Sequence, residues 1–182
     1  QNHFKPIKIP KKEPYDFYMV SRERLEKTIK HYPLQIMSMI REAKPIINNA
    51  LLEDLKKIEL KPRYFEEHLE ATKRALRIIE NLMEGYADSH IAHASLIYPL
   101  ILRLRSLYLV EALLKNKEYR MLRVKSDMER AGVTKERVEK IYAVYQVKRD
   151  IKKDLKHDVT IGEIRKIYNL ALNKYNDIRG WL

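Results

Sequence analysis

The sequence predicts an all-α fold: a helical bundle with an extended basic arm at its amino terminus and a smaller helical unit at its carboxy terminus. Three observations point to it. From Ser21 onward, apolar residues recur three and four positions apart. Only four glycines occur, and no alternating β-branched run bounded by turn residues is present. Beyond the arm, proline falls at the junctions between periodic stretches, with Pro99 the exception.

Residues 1–20 form the arm, 21–117 the bundle and 118–182 the carboxy-terminal unit. In the arm, QNHFKPIKIPKKEPYDFYMV, Pro6, Pro10 and Pro14 recur every four residues with Lys5, Lys8, Lys11 and Lys12 between them. Proline at that spacing forbids a helix and favours extended chain. The bundle opens with a helix near 21–32, in which Ser21 is the N-cap and Leu25, Ile29 and Tyr32 share a face. Pro33, Pro45 and Pro62 then start helices near 33–43, 45–59 and 62–86, because proline suits a first turn.

In the last of these, Phe65, Leu69, Leu76, Ile79, Met83 and Tyr86 make one stripe. Glu66, Glu67 and Glu70 precede Lys73, Arg74 and Arg77, an order that suits the helix dipole and sets Glu70 one turn before Arg74. Asp88 to Asn116 is apolar nearly all round, the mark of a central helix, with a kink or break expected near Tyr98 because of Pro99.

After Lys115, Lys117 and Arg120 the chain becomes more polar and contains an internal echo. Val133-Thr134, Val138 and Lys140-Ile141-Tyr142 recur 26 residues later as Val159-Thr160, Ile164 and Lys166-Ile167-Tyr168. Helices are expected over 134–156 and 160–178, each with a threonine N-cap, and Thr160 with Glu163 has the spacing of a capping box.

Lysine and arginine number 37 against 25 acidic residues, a formal charge of +12 that favours polyanionic partners, either nucleic acid or an acidic membrane surface. The absence of cysteine excludes disulfides, thiolate metal sites and thiol catalysis. Three glutamines and an abundance of Lys, Glu, Ile and Tyr resemble the composition of heat-adapted proteins. The most apolar stretch, Ile91 to Leu102, includes His93 and Pro99 and is shorter than the roughly 20 residues of a membrane span. No apolar run follows the first lysines, so a secretory signal is not expected and the chain is read as intracellular or virion-borne. It has no Gly-rich phosphate loop, nucleophile elbow or paired-carboxylate motif, and is read as a non-enzyme without cofactor, metal or small-molecule substrate.

The functional signal that remains is base interleaved with aromatic. Lys11 and Lys12 accompany Tyr15 and Tyr18; Arg103 and Arg105 accompany Tyr98 and Tyr108; Lys148, Arg149, Lys152, Lys153 and Lys156 follow Tyr142 and Tyr145. Cations contact phosphates, and tyrosines pack on sugars or donate to phosphate oxygens. The candidate nucleic-acid-binding residues are therefore Lys5, Lys8, Lys11, Lys12, Arg22, Arg24, Arg103, Arg105, Lys148, Arg149, Lys152 and Lys153. The plain structural alternative is that the tyrosines rim the core and the lysines are solvated.

The general plan of arm and bundle, with its basic, Tyr-rich composition, resembles the coat proteins of filamentous archaeal viruses, although the arms of that family are helical. The resemblance implies a structural protein that packages duplex DNA in a filament with copies of itself or a paralogous subunit. Lys5, Lys8, Lys11, Lys12, Arg22 and Arg24 would then touch phosphates without reading sequence.

Two local patterns suggest other functions. SDMERAGVTKERVEKIY resembles the helix-turn-helix of DNA-binding proteins in Ala131, Gly132, Val133, Val138 and Ile141, and departs from it at Asp127 and Met128. That resemblance implies a regulator or replication factor using residues 121–146. Arg63 and His68 have the spacing of the motif in HEPN ribonucleases, with Tyr64 where a polar residue is usual. There the Arg would hold phosphate and the His would move a proton. His90 and His93, near Asp88, set two imidazoles on one helical face, one ligand short of a metal site. A helical scaffold binding protein through Tyr and Leu faces is the last alternative.

Overall fold

Ser21 begins the first helix. In this computed structural model, which describes residues 19–86, 89–150 and 156–181, the Ser21 hydroxyl accepts the Arg24 N–H at 3.3 Å and caps α1, Arg22–His31. Of the expected arm, only Met19 and Val20 fall within the described residues, and both are exposed, non-helical chain. Pro33 opens α2, Pro33–Glu42, as its first residue. The pair buries Ile29, Met37 and Ile40.

The third helix is shorter than proline placement suggested. α3 covers Asn49–Lys56 rather than 45–59, because Asn48, not Pro45, starts it. Asn48 adopts the left-handed conformation with φ 57°, which Asn tolerates, and its side-chain oxygen accepts the Leu51 N–H at 3.1 Å. Pro45, Ile46 and Ile47 are left in an exposed connection. Pro62–Phe65 form a short 3-10 turn leading into α4, Glu66–Gly85. Phe65, Leu69, Leu76, Ile79 and Met83 bury as the stripe requires, while Tyr86, expected among them, lies exposed past the helix end. Glu70 does not meet Arg74; it faces Arg179 of the last helix at 3.6 Å.

The central helix, α5, is Ala94–Leu114, six residues later at its start than the apolar pattern indicated. Ile91 and Thr160 form one antiparallel bridge instead: Ala92 N–H donates to the Val159 carbonyl at 2.7 Å and Ile161 N–H to that of His90 at 3.3 Å. His93 then caps the helix by accepting the Ser95 N–H at 3.3 Å. α5 runs through Pro99 as one helix, so of the expected kink or break the break does not occur. The missing N–H costs only the bond to the Ser95 carbonyl, one turn from the helix start.

Three helices complete the bundle: α6, Met121–Arg130; α7, Lys135–Arg149; and α8, Ile161–Arg179. Gly132 supplies the turn before α7 at φ 90°, a conformation that strains any other residue, and its carbonyl accepts from Lys166 at 2.8 Å. α7 ends at Arg149 rather than reaching 156; residues 151–155 are outside the described residues, and Lys156 is not helical. Thr160 and Glu163 form the capping box, with the Glu163 N–H 3.2 Å from the Thr160 hydroxyl and the Thr160 N–H 2.8 Å from the Glu163 carboxylate.

The internal echo joins its own two copies. Arg137 occupies in the first copy the place of Glu163 in the second, and the two form an ion pair across the 26-residue interval. Arg137 also meets Asp158 at 2.9 Å.

α5 packs against α4, α7 and α8, and one core cluster runs from Ile29 to Ile178, spanning both the 21–117 and 118–182 ranges. Each buried Leu or Ile contributes about 1.5–3 kcal/mol to it. Among the described residues no helix is long and apolar enough to cross a membrane.

Candidate nucleic-acid interface

Where α5 meets α7, periodicity puts bases and aromatics face to face. Tyr98 and Arg105 lie two turns apart on α5; Tyr142, Tyr145 and Arg149 follow one another by three and four on α7. Each set therefore occupies one helix face. The rings of Tyr98 and Tyr145 stack at 5.4 Å, and Tyr142 meets Tyr145 edge-on at 6.0 Å. Arg105 lies over the Tyr145 ring, 5.2 Å from its centre. Its Nη1 donates to the Tyr145 hydroxyl, and its Nε donates to that of Tyr119 at 3.3 Å.

No carboxylate among the described residues pairs with Arg105. Burial works against its charge, but the hydrogen bond to the Tyr119 hydroxyl and the neighbouring tyrosines offset that, and the net shift of its pKa is upward. The Tyr142 hydroxyl is buried with no hydrogen-bond partner, and burial pushes its pKa above the usual phenol range. Arg149 pairs with Asp150 at 2.8 Å and stands close enough to Arg105 for the like charges to act on each other.

The other sequence-derived candidates disperse. Lys5, Lys8, Lys11, Lys12, Lys152 and Lys153 lie outside the described residues. Arg22 is engaged by Glu26 at 2.9 Å, whereas Arg24 is exposed and has no ion pair among the described residues. Lys148 is half-buried beside Arg149. Arg103 does not join the tyrosines: it is half-buried, and its charge acts on His68.

Tyr108 also belongs elsewhere. Its hydroxyl donates to Asp127 at 2.6 Å, and its ring lies under Lys174 at 4.6 Å and Arg123 at 5.6 Å. These cations converge on Glu111, which is 3 % exposed and accepts from Lys115 at 2.9 Å, Lys174 at 3.0 Å and Arg123 at 3.2 Å. Burial alone would raise the Glu111 pKa, but the three cations bring it down to about 2. Sequence reasoning missed this knot, although Glu111 is the one acid in the segment 94–114 and a lone carboxylate in an apolar helix needs buried partners. It missed Tyr119 as well, which lies in a short non-helical connection and carries no periodic signal.

The local resemblances lead to different surroundings. α6, the Gly132 turn and α7 do follow one another, with Met128, Val133, Val138 and Ile141 buried between them. Asp127 is tolerated in place of an apolar residue because Tyr108 and Arg130 bond it. The first turns of α7, however, present exposed Lys135 beside Glu136, while Glu139 is held by Lys125 and Arg137 and Lys140 are tied to Asp158. A helix entering a groove between phosphates offers more than one unengaged cation there.

Arg63 and His68 part company. Arg63 lies over the Tyr64 ring at 5.6 Å, and His68 bonds the Ser106 hydroxyl at 3.1 Å. Burial, followed by the nearby Arg103 charge, lowers the His68 pKa to about 4, which keeps it neutral. His93 is a helix cap stacked on Tyr86, and among the described residues no three His, Asp or Glu side chains gather as a metal site would require. Comparison with protein-family models, curated proteins and solved structures gives no match.

Proposed function

We propose that the chain is a structural, non-enzymatic protein that coats duplex DNA, held by its phosphates without reading base sequence. One observation supports this most: Arg105 lies over the Tyr145 ring in a tyrosine cluster, near enough for its charge to act on Arg149, 44 positions later at the start of the basic run Lys148, Arg149, Lys152, Lys153 and Lys156. Aromatic rings beside cations suit a sugar-phosphate backbone. Arg24, Lys73, Arg74, Arg77, Lys135 and Arg165 add cations without an ion pair among the described residues, spread over four helices. Charge distributed in this way, within a net +12, matches a subunit enclosed by polyanion and neighbours better than one with a single reading head.

Titrating the full chain with a generic duplex over a salt series tests the reading. Affinity should fall steeply and linearly on logarithmic axes, and Arg149→Gln should flatten the slope by about 0.9 for each phosphate it no longer neutralises. No binding at low salt would overturn it.

Ile46 and Ile47 favour a second reading, a helical scaffold that binds protein. They are 98 % and 87 % exposed and adjacent on one loop. Tight association insensitive to salt would favour it.

A further inference from the structure

The cluster beneath Arg105 has an imbalance of charge and of donors. Arg137, also partly buried, is answered by the carboxylates of Glu163 and Asp158, whereas half-buried Arg103, like Arg105, has no ion pair among the described residues. The guanidinium of Arg41 meets the carbonyls of Ala112 and Leu113 at 3.3 and 3.2 Å, at the negative end of the α5 dipole. Around Arg105 stand only neutral hydroxyls. Tyr119 and Tyr145 take two of the guanidinium's five N–H donors, and the rest have no acceptor among the described residues. The Tyr142 hydroxyl, on a residue only 5 % exposed, adds a further donor without an acceptor.

We infer that Arg105, Tyr142 and Tyr145 form a seat for one tetrahedral oxoanion, a phosphate group, with Tyr119, whose hydroxyl accepts from Arg105 and donates to Met121, positioning the guanidinium. What the cluster lacks is a ligand with several acceptor oxygens, no need of a donor and a negative charge. Water supplies an acceptor but no negative charge. A phosphate supplies both. Arg105 is only partly covered, and Arg149, itself paired with Asp150, is near enough for its charge to act on Arg105. The rings of Tyr98 and Tyr145, stacked in place, hold the hydroxyl of Tyr145 and the guanidinium above it in fixed positions.

The phosphate comes from a nucleic-acid backbone or from free inorganic phosphate. In the first case the inference rests on the nucleic-acid reading above and gives that binding its one buried contact.

Calorimetric titration of the full chain with inorganic phosphate at constant ionic strength, alongside a short duplex, separates the cases. The key variant is Tyr142→Phe, which keeps the ring and removes only the donor. It should fold as well as the parent, since it loses an unpaired buried hydroxyl, and should bind phosphate about tenfold more weakly. Arg105→Gln should abolish phosphate binding.

Phosphate binding weakened by Tyr142→Phe, together with duplex binding weakened likewise, supports the backbone source. The same phosphate result without any duplex binding supports the seat for free phosphate and removes the nucleic-acid reading. Salt-dependent duplex binding with no phosphate binding, or with Tyr142→Phe equal to the parent, overturns the seat and leaves the nucleic-acid reading standing.

Discussion

Glu111 shows how a single residue holds three helices together. It sits on α5 and draws Lys115 from its own helix end, Arg123 from α6 and Lys174 from α8 onto one buried carboxylate. Replacing it with Gln leaves three cations facing one another and should cost about 3 kcal/mol at neutral pH. The carboxylate pKa is lowered from its ordinary 4.5 to about 2 in the fold, so the stabilisation is complete above about pH 4.5 and fades as pH falls toward 2. Urea unfolding of parent and Glu111→Gln across that range should give stabilities that converge at the acid end.

His68 has the opposite sense of linkage. It is neutral in the fold with a pKa of about 4, while the unfolded chain takes up its proton near 6.5. Parent stability should therefore drop relative to His68→Gln as pH falls from about 6.5 toward 4. A difference that stays constant with pH would show that His68 is not held neutral.

At the scale of elements, the two echoed helices provide an internal comparison. Thr160 closes a capping box with Glu163, whereas Thr134 makes no side-chain cap bond. Thr160→Ala should lower stability by about 1 kcal/mol and Thr134→Ala by much less, as thermal unfolding of both would show. Arg41 joins elements as well. Its guanidinium bonds three carbonyls and the Asn116 side chain at the end of α5, which ties α2 to the central helix. Lysine has no planar fork to bond four acceptors at once, so Arg41→Lys should cost about 2 kcal/mol.

Helix type and order were legible in the sequence because an apolar stripe every three or four residues has one physical meaning. Helix ends were legible only where a local cap decides them, as at Ser21, Pro33 and Thr160. Asn48 displaced the start of α3 through a left-handed turn that no apolar pattern reveals, and residues 90–92 were diverted from α5 by a backbone pairing with residues 159–161, nearly 70 positions away. The candidate interface was legible in part for the same reason. Tyr142, Tyr145 and Arg149 share a face by local periodicity, but that Arg105 meets them while Arg103 turns to His68 depends on how α5 is rotated against α4 and α7.

At the scale of the whole molecule, an excess of positive charge surrounds a single core, and many of the acids are already used in ion pairs that fasten helices. Glu163 and Asp158 hold Arg137, Glu139 holds Lys125, and Glu70 holds Arg179. The acids thus serve cohesion, and cations such as Arg24, Lys73, Arg74, Arg77 and Arg165 are left without an ion pair among the described residues. The exposed Ile46 and Ile47 suit contact with a neighbouring subunit, since adjacent isoleucines left in water each forgo about 1.5–3 kcal/mol of burial. Ile46→Ser with Ile47→Ser should reduce self-association in sedimentation experiments while leaving the unfolding midpoint nearly unchanged.

The most direct measurement is the affinity of the full chain for a generic duplex between low and physiological salt. A logarithmic slope steeper than about −3, equal for unrelated sequences and made shallower by Arg149→Gln, is the expected result for a protein that holds DNA by its phosphates. Absence of binding at low salt, or binding confined to one sequence, would contradict it.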